Sequence, residues 1–511
     1  MVSPSIETNQ SIHVVYMIST DNTFSKVIKT GAMTTHADQD YTVKVDVEGL
    51  EPNTQYYYRF QNNGVYSPIG RTRTLPVGHI YHITFAVVSC ANYATDFFNV
   101  YREIAQRDID YVLHLGDYIY EYGPGEYDDE GAVAQLRQFN PPREIISLDD
   151  YRTRYAQYRK DPALQELHAK RPFICVWDDH EVANDAYDSG AQNHNDNEGT
   201  FDERRAAALK AYYEWMPVRE NPNDSLSIYR KFEFGNLINL YMLDTRLKAR
   251  DAQLSHMKYV DNILEYDFDA ADADIRDPDR ELLGKEQMAW LQSELSASNA
   301  KWQVLGQQVL MGRMDIPWQL AAIITAAMDV VGNGEELDVE RLLDLSGTDI
   351  NNLDKLLSRK ASYNLDAWDG YYAERESLFE LIQSLDLNLI NLAGDTHNAW
   401  ANNLTNTSGD SIGVEFATAS ITSIGISEYL KKYAFPVPNL NEIFTSLVDD
   451  VQYANIYNRG FLILDVSHES ANAEWVFVNT VKLPIYDTLQ SASKRLQVLP
   501  GQGNRRIISD T

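Results

Sequence analysis

The chain has 511 residues, 44% hydrophobic and 23% charged, with a formal net charge of −31. That length makes more than one domain the expectation, and the composition excludes a disordered or fibrous protein. The acidic field argues against a general nucleic-acid binder, and no run reaches the roughly 18 apolar residues of a membrane span.

From the N-terminus, Met1-Val2-Ser3-Pro4 has neither an arginine pair nor an apolar core, so no export signal is read there. Residues 1–76 read as a β-sandwich. Ser11–Ile18, Tyr41–Val47, Gln55–Gln61 and Ile69–Thr74 are its expected strands, alternating or rich in β-branched and aromatic residues. Leu50-Glu51-Pro52-Asn53-Thr54-Gln55-Tyr56 resembles the tyrosine corner of fibronectin type III-like sandwiches, with Tyr56 as the tyrosine that bonds back to the upstream backbone. Leu75-Pro76-Val77-Gly78 reads as a linker.

From residue 80 apolar runs alternate with helical patterns, which predicts an α/β layered domain over 80–485. Its strands are Ile83–Ser89, Tyr111–Leu115, Phe173–Trp177, Leu237–Leu243, Trp302–Gln307 and Leu387–Ala393, with Phe461–Val466 and Glu474–Val478 near the end. Helices are expected over Asp149–Lys160, Thr200–Met216, Leu283–Ser296 and Asp369–Ser384. Thr200 and Glu203 make a capping box for the second, and Asp161-Pro162 caps a further helix. Residues near 314–360 and 424–450 read as helical insertions, and 486–511 as a C-terminal tail.

Five strand ends deliver polar residues where an apolar run stops. They are Ser89-Cys90; Gly116-Asp117-Tyr118-Ile119-Tyr120-Glu121; Trp177-Asp178-Asp179-His180-Glu181 with Asn184; Asp244-Thr245-Arg246; and Gly394-Asp395-Thr396-His397. In an open α/β layer the carboxyl ends of parallel strands face one crevice. Buried carboxylates without partners are costly, so such a cluster calls for cations. Carboxylate suits a hard ion and can bridge two, and phenolate or thiolate suits a ferric ion. The pattern points to a metal-dependent phosphoesterase. Two cysteines are too few for a disulfide framework; Cys175, inside Phe173-Ile174-Cys175-Val176, reads as core.

The same residues, with Tyr151-Arg152-x-Arg154-Tyr155-x-x-Tyr158-Arg159 and Asp366-x-Trp368-Asp369-Gly370-Tyr371, resemble the PhoD family of alkaline phosphatases from about residue 80 to 400. The resemblance implies hydrolysis of small-molecule phosphate esters by a metal-bound oxide or hydroxide at an Fe³⁺/Ca²⁺ centre, and a secreted, periplasmic or cell-surface location. By motif, Cys90, Asp117, Tyr120 and Asp395 would hold the iron. Asp117 would bridge to calcium, with Asp179 and one or more of Asp178, Asn184 and His397 completing that side. Arg246 or Arg154 is the candidate phosphate clamp, and either could instead be an ordinary surface ion pair. His180 either protonates the leaving oxygen or only orients Asp179.

Three other readings compete. A purple acid phosphatase-like enzyme shares Gly-Asp-x-x-Tyr, but would need Gly-Asn-His-Glu where this chain has Asp178-Asp179-His180-Glu181, and Gly-His-x-His where it has Gly394-Asp395-Thr396-His397. A phosphodiesterase or phospholipase D activity fits the same scaffold. A non-catalytic calcium-binding adhesion protein would need no redox metal and show no turnover.

Overall fold

The computed structural model describes residues 10–127, 136–262, 265–333, 359–432 and 439–509. The N-terminal region is one antiparallel sheet. Gln55–Asn62 pairs with Ile12–Ser19, with Val65–Tyr66 and with Gly70–Arg73, and Val27–Thr35 lies beyond Ile12–Ser19. Tyr56 is buried and its hydroxyl accepts a hydrogen bond from the Glu51 main-chain N–H at 2.9 Å, the corner expected of it. Two of the expected features differ. The second sheet that a sandwich requires is not among the described residues, and Tyr41–Val47 forms no strand.

Val27–Thr35 pairs instead, in a sequence weakened by Gly31. A side chain at Gly31 would run into the ring of its register partner Tyr16, at 2.5 Å, so the glycine makes room for the aromatic. The polar side chains around 38–46 turn onto the second region rather than into the sheet. Lys44 donates to the Val218 carbonyl, Arg219 pairs with Asp46 at 2.6 Å, and the Trp215 indole N–H donates to Asp40 at 2.9 Å.

The second region is built on two seven-stranded sheets. The first runs Ile507–Ser509, Lys494–Val498, Ala471–Phe477, Gly460–Ser467, His82–Val88, Tyr111–His114, Phe173–Cys175, with the last three parallel. The other runs Val451–Asn455, Ala399–Thr405, Ser411–Ala417, Leu389–Ala393, Trp302–Gly306, Ile238–Met242, Arg230–Phe234, with the third to the sixth parallel. Two strands of the first sheet therefore come from the stretch 486–511 expected to be a tail.

The sheets pack face to face, and period-2 alternation decides which residues meet. Leu240 and Met242, Val304, Ile390 and Leu392, Val414 and Phe416 point into a core shared with Phe85, Val87, Leu113 and Leu464 of the first sheet. Their alternates Tyr241, Leu305, Leu389 and Ile412 point the other way, onto a second core with Leu291, Leu295, Leu378 and Phe379 of the helices Gly284–Ala297 and Tyr372–Ser384. Helices Asn99–Ala105, Leu148–Tyr158, Pro162–Lys170 and Phe201–Trp215 cover the first sheet through Val100, Tyr155, Leu164 and Leu209.

Two buried tryptophans stitch the layers. Trp302 Nε1–H donates to the Ser467 carbonyl and Trp475 Nε1–H to the Ala417 carbonyl, both at 2.8 Å. Truncating either to alanine removes about 3–5 kcal/mol. Two helix starts are those expected: Thr200 forms its capping box, and Asp161 accepts from the Ala163 and Leu164 N–H groups; Ser147 makes a further capping box for Leu148–Tyr158. Of the expected insertions, Trp318–Asn333, Ile426–Lys432 and Leu440–Leu447 are helical. Residues 334–358 lie outside the described residues.

Candidate metal centre

The parallel strands of both sheets end at one edge. His82–Val88 runs out at Cys90, Tyr111–His114 at Asp117, and Phe173–Cys175 at Asp178; in the other sheet Ile238–Met242 runs out at Asp244 and Leu389–Ala393 at Asp395. A parallel bridge from Ser89 to Ser420 ties this edge together. Cys90, Asp117, Asp395 and His397 all hold left-handed backbone, with φ of 61°, 55°, 60° and 62°. Each costs on the order of 1–3 kcal/mol for a residue with a Cβ, a strain that gathers where the surroundings over-determine a site.

These turns bring the side chains together. Tyr120 donates its hydroxyl proton to Asp117 Oδ2 at 2.9 Å, accepts from Ser423 Oγ at 2.7 Å, and lies 3.2 Å from His397 Nε2. Three groups of ligand atoms, each within 4.8 Å, share members: Cys90, Asp117 and His397; Asp117, Asp179 and His180; Asp178, Asp179 and Asp395. Asp117 links the first group to the second, and Asp179 the second to the third. The imidazole of His397 thus stands beside Cys90 and Tyr120. Asp395 brings its main-chain carbonyl to 3.9 Å from the Cys90 sulfur, and its carboxylate joins Asp178 and Asp179. This division exchanges His397 and Asp395 relative to the one implied by the resemblance.

Asp117 Oδ1, Asp178 Oδ2 and Asp179 Oδ1 are buried and accept no hydrogen bond from the protein. Anionic oxygens left in this state fit cations and little else. Oxygen, sulfur and imidazole donors at such separations meet the chemical demand of a multi-cation centre.

Electrostatics agree. Burial, and then the charge of Asp117, push the Cys90 thiol and the Tyr120 phenol well above their ordinary values. Burial likewise raises Asp178 and Asp395 against the pull of Arg246. Burial opposes ionisation of Asp179 too, but Arg246 and His180 hold it low. Like charges crowd a dry site, and positive charge relieves all of them together.

Arg246 is wholly buried. Its guanidinium donates to Asp178 at 2.6 Å, Asp366 at 3.0 Å and Asp395 at 2.7 Å. It is neither a surface ion pair nor open to solvent; it neutralises the carboxylates behind the centre. Arg154 is no surface ion pair either. It too is fully buried, and its guanidinium donates to the main-chain carbonyls of Tyr120, Tyr122, Asn140, Pro141 and Arg143 while its plane lies 4.6 Å from the Phe139 ring centroid. A wholly buried guanidinium bonded to carbonyls through Nε, Nη1 and Nη2 braces the chain rather than presenting a face to phosphate.

His180 Nδ1 lies 2.7 Å from Glu121 Oε2. Glu121 also accepts from the Asn184 main-chain N–H at 2.7 Å and from Asn193 Nδ2 at 2.9 Å. Asn184 is half-buried and donates its amide to Gln192 at 2.7 Å. With Nδ1 committed to Glu121, Nε2 is the nitrogen His180 has left for Asp117 and Asp179.

Sequence reasoning gave no role to Glu121, Ser423, Asp366 or Gln308. Gln308 is buried between the layers, donating to the Trp177 and Leu243 carbonyls and accepting from Thr245 N–H, so it joins a strand end of each sheet. Glu121 stood in the quoted motif, and its burial was the missing signal. Ser423 and Gln308 lie in stretches with no motif and could not have been found.

Family models for "PhoD-like phosphatase" match residues 85–475 and for "PhoD-like phosphatase, N-terminal domain" residues 1–76. Alkaline phosphatase D of Bacillus subtilis (strain 168) is 37% identical over 427 residues, which is 81% of this chain; the chain spans 64% of the length of that relative. The solved structure of PhoD superposes with a TM-score of 0.78 at 32% identity, covering 99% of this chain and 87% of the other. Purple acid phosphatase PPD1 from yellow lupin seeds superposes at 0.51 with 12% identity, covering 94% and 70%, a likeness of fold alone.

Proposed function

The chain belongs to the PhoD-like phosphatase family, and from that premise we propose that it hydrolyses small-molecule phosphate esters at a centre holding Fe³⁺ and Ca²⁺. The observation that carries this reading is the convergence of three orphaned buried carboxylate oxygens, on Asp117, Asp178 and Asp179, with Cys90, Tyr120, His180 and His397.

Cys90, Asp117 and Tyr120, with His397 beside them, make the ferric side; thiolate and phenolate are the donors such an ion selects. Asp178, Asp179 and Asp395 make the calcium side, where hard carboxylate oxygens belong, and Asn184 is held at its margin. The cations supply Lewis acidity toward the phosphoryl oxygens and toward water.

The protein's own groups do the rest. Asp117 serves both sides with one carboxylate. Glu121 fixes the His180 ring by accepting a hydrogen bond from Nδ1–H, which leaves Nε2–H toward the reacting region as a proton donor to the leaving oxygen. Arg246 offsets the charge of Asp178, Asp366 and Asp395, so the carboxylates can crowd without expelling one another. Tyr122 and Tyr127 stack at 5.2 Å between ring centroids, and Tyr127 stacks on Tyr120 at 5.7 Å; this aromatic wall limits water at the centre.

Hydrolysis of a phosphomonoester and a phosphodiester by the purified protein, with and without chelator and alongside metal analysis, tests the reading. Chelator-sensitive turnover with bound iron and calcium is expected. Faster cleavage of the diester would assign phosphodiesterase or phospholipase D chemistry to the scaffold, and calcium binding without iron or turnover would make the protein a binding module. Among the described residues no helix is long and apolar enough to cross a membrane.

A further inference from the structure

Glu181 ligates nothing in the reading above, yet it is buried at the centre of the site with 1% of its surface exposed. Both of its oxygens collect main-chain N–H groups. Oε1 accepts from Tyr118 at 2.5 Å and Ile119 at 3.3 Å, and Oε2 accepts from Asp117 at 3.0 Å and Asp178 at 2.7 Å. A single oxygen therefore carries the amides of Asp117 and Asp178, which belong to different turns after different strands. The turns also touch directly. A Cβ on Gly116 would stand 2.4 Å from the Asp178 Cβ and 2.6 Å from its nitrogen, at a φ of 111° that only glycine adopts freely.

We propose that Glu181 is the positioning residue that sets the distance between the two ligand-bearing turns, Gly116–Tyr120 and Asp178–His180. The inference rests on the metal-centre reading. Of the three ligand groups, the one made by Asp117, Asp179 and His180 spans both turns, whereas Cys90, Asp117 and His397 draw nothing from the Asp178–His180 turn. A carboxylate that joins the turns acts on the first of these groups from both turns, and on the second only through the turn that carries Asp117 and Tyr120. A glutamate that merely caps its own turn would affect both groups alike, through stability.

Glu181→Gln separates these roles. Glutamine keeps the volume and one acceptor oxygen, so half of the N–H groups stay satisfied and the fold persists. The amide NH₂ then faces main-chain N–H groups, which pushes the turns apart. Metal analysis of the purified holoenzyme and cation rebinding after chelation are the readouts, with the melting temperature of the chelated protein as control. The calcium side, which takes Asp117 from one turn and Asp178 and Asp179 from the other, is expected to lose about 10–100-fold in cation affinity, with a smaller loss on the Cys90 side and a chelated melt near wild type. Retention of both cations at wild-type affinity in a folded variant, or parallel loss of both with a lowered chelated melt, overturns the proposal. Wild-type protein that takes up no cation at all would instead overturn the metal reading on which it stands.

Discussion

The Glu121 carboxylate grips the His180 imidazole at 2.7 Å, Oε2 to Nδ1, and the pair is buried within the site. Aspartate 179 and Glu121 together hold His180 well above its ordinary titration range, against the opposing effect of burial. The ring is therefore fixed in orientation from behind, with Nδ1–H on the Glu121 carboxylate.

Glu121→Gln tests that orientation. The amide preserves shape but removes the anion at Nδ1. Activity is expected to fall about 10–100-fold, with little change in the melting temperature. Steady-state kinetics on the variant decides it, and wild-type turnover would mean that the ring needs no partner.

The two cysteines separate metal chemistry from packing. Cys90→Ser should lose iron and the absorbance of a phenolate–iron centre, since a neutral hydroxyl is a poor ferric ligand. Cys175 is enclosed in the core, where burial pushes its thiol up to about 12. Cys175→Ser should keep its metals and turnover while losing on the order of 1–2 kcal/mol of stability. Metal content and visible spectra of both variants check the contrast; equal effects would remove Cys90 from the centre.

Arg154 should behave as a structural residue. Arg154→Met leaves five main-chain carbonyls without donors and is expected to cost about 3–5 kcal/mol in unfolding free energy. The KM for a phosphomonoester should not move in the fraction that folds. A raised KM at unchanged stability would restore Arg154 as a phosphate ligand.

The Ser423 hydroxyl lies 2.7 Å from the Tyr120 oxygen and 3.0 Å from the Cys90 carbonyl, with one proton to share between them. In Ser423→Ala the phenolate loses a hydrogen bond that draws charge from it. A red-shifted phenolate–iron band is expected, with a rate loss under about tenfold. An unchanged spectrum would show that the serine does not touch the bound phenolate.

Acid should destabilise the fold through its buried neutral histidines. His256, whose ring nitrogens meet the Tyr266 hydroxyl at 2.8 Å and the Ser362 carbonyl at 2.7 Å, is held down at about 4 by burial. Its ordinary value is 6.5, so between pH 6.5 and 4 the unfolded chain binds the extra proton. The contribution is intact above pH 6.5 and is lost as pH falls through that window. Urea unfolding of His256→Gln should show a shallower acid slope, by up to about 1.4 kcal/mol per pH unit. Identical slopes would mean that His256 titrates normally in the fold.

Much of the fold was legible because it depends on local chemistry. Thr200 and Glu203, Asp161-Pro162 and the apolar run Tyr111–Leu115 each specify an element within a few residues of themselves. Val27–Thr35 was missed because Gly31 is explained only by the Tyr16 ring across the strand pair. Tyr41–Val47 misled because its alternation serves docking against residues near 215–219.

The site divides in the same way. Sequence alone determined which residue types stand at the strand ends, because a carboxylate, thiol or phenol after an apolar run is a property of the chain in order. Tertiary structure alone decided what each one meets. It turned His397 toward Cys90 and the Asp395 carboxylate toward Asp178, committed Arg154 to carbonyls, and set one oxygen of Glu181 between two turns. Those outcomes depend on which groups burial brings within a few ångströms. Interactions of that range join residues up to hundreds of positions apart, and no spacing along the chain encodes them.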